Sequence, residues 1–88
     1  MHYILCTLQA PLAAVQHQLK NDAAQHAQDG MYLEKVWLNA DNKNEVLFLF
    51  RVDDLGKARE RIHATKAKAL AADPKAIFPE MVFLHEAQ

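Results

Sequence analysis

The chain has very little cysteine: Cys6 is the only one among 88 residues, which rules out an internal disulfide. Disulfide-stapled secreted domains are excluded with it, and a lone thiol fits a reducing compartment. Because Cys6 lies within an apolar stretch, we expect a packed and inert side chain rather than a nucleophile. The sequence also lacks repeats, low-complexity tracts and linkers, and therefore predicts a single domain over residues 1–88.

Neither sign of charge is in excess. Ten basic and 11 acidic residues give a formal net charge of -1, and neither sign forms a block. A nucleic-acid-binding protein of this size usually carries a basic stripe, so no nucleic-acid partner is expected. No apolar run approaches the roughly 20 residues of a membrane span, and the first residues lack the basic start of a secretory signal. The sequence therefore predicts a cytoplasmic protein with no membrane partner.

What the chain does contain is four β-rich segments and two helical stretches. The predicted strands cover residues 2–8, 31–39, 45–52 and 77–85. Turn formers at 41–44 join the second and third strands in a hairpin, and Pro79 favours an edge position for the last strand. With one helix before the hairpin and one after it, the predicted order is β-α-β-β-α-β.

The first helical stretch begins at Pro11, which suits the first turn of a helix, and Gly30 marks its end. Its apolar positions recur at helical spacing. They are Leu12, Val15, Leu19 and Ala23.

The second helical stretch follows an acidic capping pair at 53–54. Its inner face carries Leu55, Ala58 and Ile62. Lys66 falls near the centre of the same apolar stripe, which predicts a break near Ala64 and a short further helix at 65–71.

The order of elements predicts an α+β fold of the ferredoxin-like type. It consists of a four-stranded antiparallel sheet of order 4-1-3-2 with both helices on one face. The third predicted strand, Glu-Val-Leu-Phe-Leu-Phe-Arg-Val, is apolar on both of its faces, as is typical of strands covered on both sides. A chain of 88 residues has little material for covering a sheet twice. We therefore expect a second copy of the chain to cover the open face, in a homodimer.

The hairpin geometry predicts which side chains lie on that open face. It pairs Leu38 with Leu47, Val36 with Leu49 and Glu34 with Arg51, and it leaves Trp37 and Lys35 on the helix side with Phe48 and Phe50. A register that pairs Leu5 with Val82 extends the face over the other two strands. The predicted open face comprises Tyr3, Leu5, Thr7, Tyr32, Glu34, Val36, Leu38, Leu47, Leu49, Arg51, Glu80, Val82 and Leu84.

Candidate site residues cluster at one end of this face, where Tyr3, Tyr32, Glu34 and Arg51 are predicted to converge. Arg51 could anchor an acidic or phenolate ligand beside a tyrosine hydroxyl. Glu34 and Arg51 could equally form a cross-strand ion pair that sets the sheet register, and this reading is favoured because no second reactive group is evident. Leu47 and Leu49 are the predicted centre of the dimer interface.

Five histidines invite a metal hypothesis. His2 and His85 are predicted to be cross-strand neighbours, a geometry suited to two zinc or copper ligands, but no third ligand falls beside them. We therefore predict no metal and no cofactor. His63, at the predicted helix break, is a candidate general base without an identified partner. Trp37, Phe48 and Phe50 could line a pocket for a flat aromatic ligand, although core packing is the favoured reading.

Two segments carry a resemblance to a known superfamily. The run Phe-Leu-Phe-Arg-Val-Asp-Asp-Leu-Gly-Lys-Ala-Arg and the closing Phe-Pro-Glu-Met-Val-Phe-Leu resemble small uncharacterised members of the dimeric α/β-barrel superfamily. The resemblance implies dimerisation through the open sheets, with apolar cavities nearby. The superfamily includes cofactor-independent monooxygenases, isomerases, haem enzymes and proteins of no known activity, so the fold does not choose among these activities.

Three functions follow as expectations. The leading one is a homodimeric protein of unassigned role that binds a small apolar or aromatic molecule in a cavity by the sheet. The first alternative is an enzyme of the cofactor-independent monooxygenase or isomerase kind, using Arg51 and a tyrosine or histidine. The second is a structural or regulatory dimerisation module with no ligand. The sequence does not decide whether the protein is an enzyme.

Overall fold

The computed structural model describes residues 1–87 and arranges them in the predicted βαββαβ order. The elements are β1 (His2–Gln9), α1 (Leu12–Gln28), β2 (Met31–Leu38), β3 (Glu45–Val52), α2 (Leu55–Ala72) and β4 (Glu80–His85). The strands form one antiparallel sheet of order β2-β3-β1-β4, which is 4-1-3-2 counted from the other edge. Both helices lie on one face, so the ferredoxin-like α+β fold is confirmed.

Helix α1 begins and ends close to the predicted residues. Pro11 is extended (φ -61°, ψ 139°) and stands just before the helix rather than in its first turn. At the other end Gly30 has φ 72°, a left-handed conformation that glycine adopts at little cost. Its amide donates to the carbonyl of Ala27 at 3.1 Å, which stops the helix and directs the chain into β2.

The predicted break in the second helix is wrong, because α2 runs without interruption from Leu55 to Ala72. Its start is capped as predicted: the Asp54 carboxylate accepts from the Lys57 amide at 3.1 Å. Lys66 is accommodated on the inner stripe because its alkyl stem is half-buried while its ammonium reaches a position 5.7 Å from the ring of Phe78. Neither helix of the described residues is both long and apolar enough to cross a membrane.

Strand β4 is an edge strand, as Pro79 indicated, but it is shorter than predicted. It starts at Glu80, directly after the proline, whose missing amide hydrogen cannot join the ladder. Ile77, assigned to the strand from its sequence, lies outside it and is 82% exposed.

The core lies between the sheet and the two helices. It is built from alternate residues of β1 and β3 packed against the inner faces of α1 and α2. Phe48 and Phe50 are buried there, beneath the helices as predicted. The buried residues are Ile4, Cys6, Val15, Leu19, Met31, Val46, Phe48, Phe50, Val52 and Ala58.

The predicted register holds between β1 and β4, where Leu5 lies opposite Val82 and Thr7 opposite Glu80. It fails between β2 and β3. At the hairpin the pairing is displaced by one residue, so that Leu38 lies opposite Val46 rather than Leu47, and such a displacement reverses the face to which each side chain points. Glu34 is an extra residue between Leu33 and Lys35, and it returns Tyr32 to the open face, opposite Arg51.

The reversal corrects four assignments. Val36 and Leu38 lie on the helix face, opposite Phe48 and Val46, rather than on the open face. Lys35 and Trp37 lie on the open face instead, opposite Leu49 and Leu47.

Candidate functional site

The open face of the sheet is apolar across its middle. Leu5, Leu47 and Leu49 form its centre and are half-buried by their own neighbours. Trp37 and Val82 flank them on the outer strands and are 45% and 54% exposed. Contiguous apolar surface of this kind is typical of interaction sites.

The polar end of the open face gathers the four candidate residues of the sequence. The Arg51 Nε lies 3.0 Å from a carboxylate oxygen of Glu34, and its guanidinium carbon lies 4.6 Å from the ring centroid of Tyr32. Tyr3 occupies the adjacent position on β1, directly opposite Arg51. Although Glu34 is out of register, its side chain is long enough to reach across the irregularity, so the predicted ion pair forms.

Asp53 is a further member of this cluster that the sequence assigned only to helix capping. Its carboxylate lies 3.6 Å from Arg51 Nη1 and accepts a hydrogen bond from the Tyr32 hydroxyl at 3.4 Å. The Tyr3 hydroxyl donates away from the cluster, to Met1 Sδ at 3.4 Å. Arg51 therefore already has two carboxylate partners, which favours the ion-pair interpretation over a ligand anchor. A partly exposed pair of this kind contributes about 0–1 kcal/mol to the stability of one protomer.

His2 and His85 are cross-strand neighbours, with their Nδ1 atoms 2.9 Å apart. Their rings meet edge to face with centroids 4.9 Å apart, and the two Nδ1 atoms lie within hydrogen-bonding distance. Across residues 1–87, no three side chains of the His, Cys, Asp and Glu types converge in the manner of a metal site. The contact joins the ends of β1 and β4.

Two other sequence hypotheses are not supported by their surroundings. His63 is exposed in the middle of an unbroken helix, so the helix break that would have shaped a site around it does not exist. Trp37 faces away from Phe48 and Phe50 and lines no pocket with them. His26 instead packs edge-on against Phe50, with ring centroids 5.0 Å apart.

A cavity of about 390 Å³ lies between the sheet and the two helices. Its floor is apolar and includes Cys6, Phe48, Phe50 and Met81. Helices α1 and α2 form its walls, and the segment 77–79 borders it where the chain enters β4. Polar side chains lie around the apolar floor: Gln18, Asp22, His26, Asp29, Arg61, Thr65 and Lys66.

None of the six site residues proposed from the sequence, Tyr3, Tyr32, Glu34, Leu47, Leu49 and Arg51, lines this cavity. Sequence reasoning looked for a site on the open face, and the cavity lies on the other side of the same strands. One signal in the sequence did point to it. Lys66 interrupts the apolar stripe of α2, and a cation at a core-facing position is rare unless it has a partner.

Burial raises the pKa of the Cys6 thiol to about 12, against a smaller opposing effect of the nearby Lys66 charge. The thiol is therefore protonated at neutral pH, and a protonated thiol is a poor nucleophile. This agrees with the expectation of a packed and inert cysteine.

The raised pKa predicts an alkaline loss of stability. The thiol ionises from about 9 in the unfolded chain and only near 12 in the folded one, so its contribution is complete below pH 9 and lost as the pH rises towards 12. Urea unfolding at a series of pH values should show this loss in the wild type and a smaller one in Cys6→Ala. Equal pH dependence in the two proteins would contradict it.

Comparisons with known proteins place the fold. No protein-family model matches the chain, and no curated protein matches it. A candidate antibiotic biosynthesis monooxygenase from Deinococcus radiodurans is 21% identical, with a TM-score of 0.63 over 100% of this chain and 94% of its own. An uncharacterised NIPSNAP domain protein from Burkholderia xenovorans is 22% identical, with a TM-score of 0.53 over 99% and 95% of the two chains. The chain thus shares with both proteins the ferredoxin-like protomer fold.

Proposed function

We propose that this protein is a homodimer that binds a small apolar or aromatic molecule in the cavity between the sheet and the helices of each protomer. The cavity itself carries the proposal. Its volume of about 390 Å³ falls within the range of about 300–1,000 Å³ typical of small-molecule sites. Such sites combine an apolar lining with a few polar groups, as this one does.

Dimerisation would stabilise β3, the strand that forms part of the cavity floor. Phe48 and Phe50 point from β3 into the cavity, while Leu47 and Leu49 point from the same strand to the open face. Two such faces, packed at the usual spacing of about 10 Å, would bury the apolar centre of each sheet. The partner sheet would then hold β3 in place from behind, at the position where the ligand rests on its other side.

Binding of N-phenyl-1-naphthylamine, a neutral probe whose fluorescence rises in apolar surroundings, tests the cavity. We expect saturable binding of one probe per protomer to the wild type. Met81→Trp introduces a larger side chain on the cavity floor and should weaken binding at least about tenfold, since a filled site leaves no room for the probe. Leu70→Trp, at an exposed position of α2 outside the cavity, should bind as the wild type does.

Two results would contradict this proposal. The first is the absence of saturable probe binding to a folded wild-type protein. The second is equal binding by the wild type and by a folded Met81→Trp variant, which would place the probe elsewhere. A stable dimer without probe binding would favour a structural or regulatory module.

A monooxygenase-like enzyme is the second candidate. The observation that favours it is the fold likeness to the Deinococcus radiodurans protein over nearly the whole of both chains. In this case the cavity would hold an electron-rich aromatic substrate that itself reduces dioxygen. Oxygen uptake with a dihydroxynaphthalene, faster with protein than without and slowed by Met81→Trp, would support an enzyme rather than a binding protein.

A further inference from the structure

Lys66 lies where a helix of this kind normally carries an apolar residue. It follows Ile62 by four positions on the inner stripe of α2, and its side chain is half-buried and lines the cavity. Its ammonium lies 5.7 Å from the centroid of the Phe78 ring, beside the segment that borders the cavity. The positive charge of Lys66 therefore lies at the border of the cavity.

The charge of Lys66 is not balanced by the protein around it. Arg61, another cation at the cavity, pairs with Asp29 at 3.2 Å. The carboxylate of Asp22 accepts from the Gln18 amide at 2.7 Å. No carboxylate among residues 1–87 lies within 4.0 Å of the Lys66 ammonium. Arg61 thus has its own carboxylate partner, whereas Lys66 forms no ion pair within residues 1–87.

The field of this ammonium reaches the floor of the cavity. Lys66 is the one charged group that lowers the pKa of the buried Cys6 thiol. A negative charge placed between the two would therefore be stabilised, because Coulomb attraction is stronger in partly apolar surroundings than in water.

We infer that the ligand of this cavity is an amphipathic acid: an apolar or aromatic body with one carboxylate or phenolate oxygen bound to Lys66. The inference rests on the proposed function, because it assigns a chemical class to the occupant of the same site. The body would lie on Phe48 and Phe50, and the anionic group would point towards the ammonium beside Phe78.

Two probes of the same size and shape test this inference. 2-Naphthoate and 2-naphthalenemethanol differ in charge, and each is measured by displacement of N-phenyl-1-naphthylamine at neutral pH. We expect the wild type to bind the carboxylate about tenfold more tightly than the alcohol, as a charge-assisted hydrogen bond provides. Lys66→Met, of similar length and without charge, should lose that preference, and Lys66→Arg should keep it. Lys68→Met, at an exposed position on the same helix, is the control and should behave as the wild type does.

The outcomes separate the two proposals. Equal affinity of the wild type for both probes, or a preference that survives in Lys66→Met, would overturn the assignment of an acid while leaving a binding cavity in place. A wild type that binds none of the three probes would overturn the binding function and the inference with it. Circular dichroism melting of each variant establishes that the fold is retained.

Discussion

Leu49→Arg is expected to convert the proposed dimer, with twice the protomer mass of 10.0 kDa, into a monomer. Leu49 lies at the middle of the open face, between Leu5 on β1 and Lys35 on β2. An arginine there is solvated in a single protomer, but it is buried without a partner when a second sheet covers the face. Burying an unpaired charge costs several kcal/mol, which is enough to abolish association at micromolar concentration.

Size-exclusion chromatography with light scattering measures this change directly. Leu70→Arg is the matched control, since it introduces the same charge at an exposed helix position away from the open face. It should leave the mass of the dimer unchanged. A wild type that is monomeric at micromolar concentration would show that the open face is not a dimer interface.

Phe48→Ala is expected to lower the free energy of unfolding by about 3–5 kcal/mol, the usual effect of removing a buried aromatic side chain. Phe48 is 5% exposed and meets Phe50 edge to face, with ring centroids 5.9 Å apart. A domain of this length has a total stability of only about 4–13 kcal/mol. The variant should therefore unfold at a much lower urea concentration than the wild type.

A substitution of the neighbouring Leu47 provides the comparison for Phe48→Ala. Leu47 adjoins Phe48 but points to the open face, where it would meet the partner sheet. The effect of Leu47→Ala should become smaller once the protein is diluted below its dimer dissociation constant, whereas that of Phe48→Ala should stay the same in the monomer. Urea titrations at two protein concentrations distinguish the cases. A loss of less than about 1 kcal/mol in Phe48→Ala would mean that this ring is not part of the core.

Local patterns were sufficient to predict the elements and their order. Runs of β-forming residues identified β1 and β3, and helical spacing of apolar residues identified α1 and the start of α2, because these patterns follow from backbone geometry. The register of β1 with β4 was also predicted, with Leu5 opposite Val82. The doubly apolar β3 indicated that one face of the sheet stays open.

The errors arose where one residue departs from a regular pattern. A one-residue displacement of the pairing at the hairpin reversed the faces of Val36, Trp37 and their neighbours, and it depends on how β2 pairs with β3, not on β2 itself. Lys66 suggested a helix break because a charged residue was not expected on the core-facing stripe of a helix. In the structure the residue is half-buried on that stripe, and its ammonium lies beside the Phe78 ring. The Glu34–Arg51 pair was predicted despite the wrong register, because these long side chains reach each other although Arg51 lies opposite Tyr32.

The sequence by itself determined the fold and the open, apolar side of the sheet, because both follow from residue periodicity along continuous segments. Only the tertiary structure revealed the cavity and placed Lys66 at it. The cavity is lined by both helices, by all four strands and by the segment before β4. These parts are distant in sequence and meet only after packing, and the space left between them depends on the size and direction of every side chain involved.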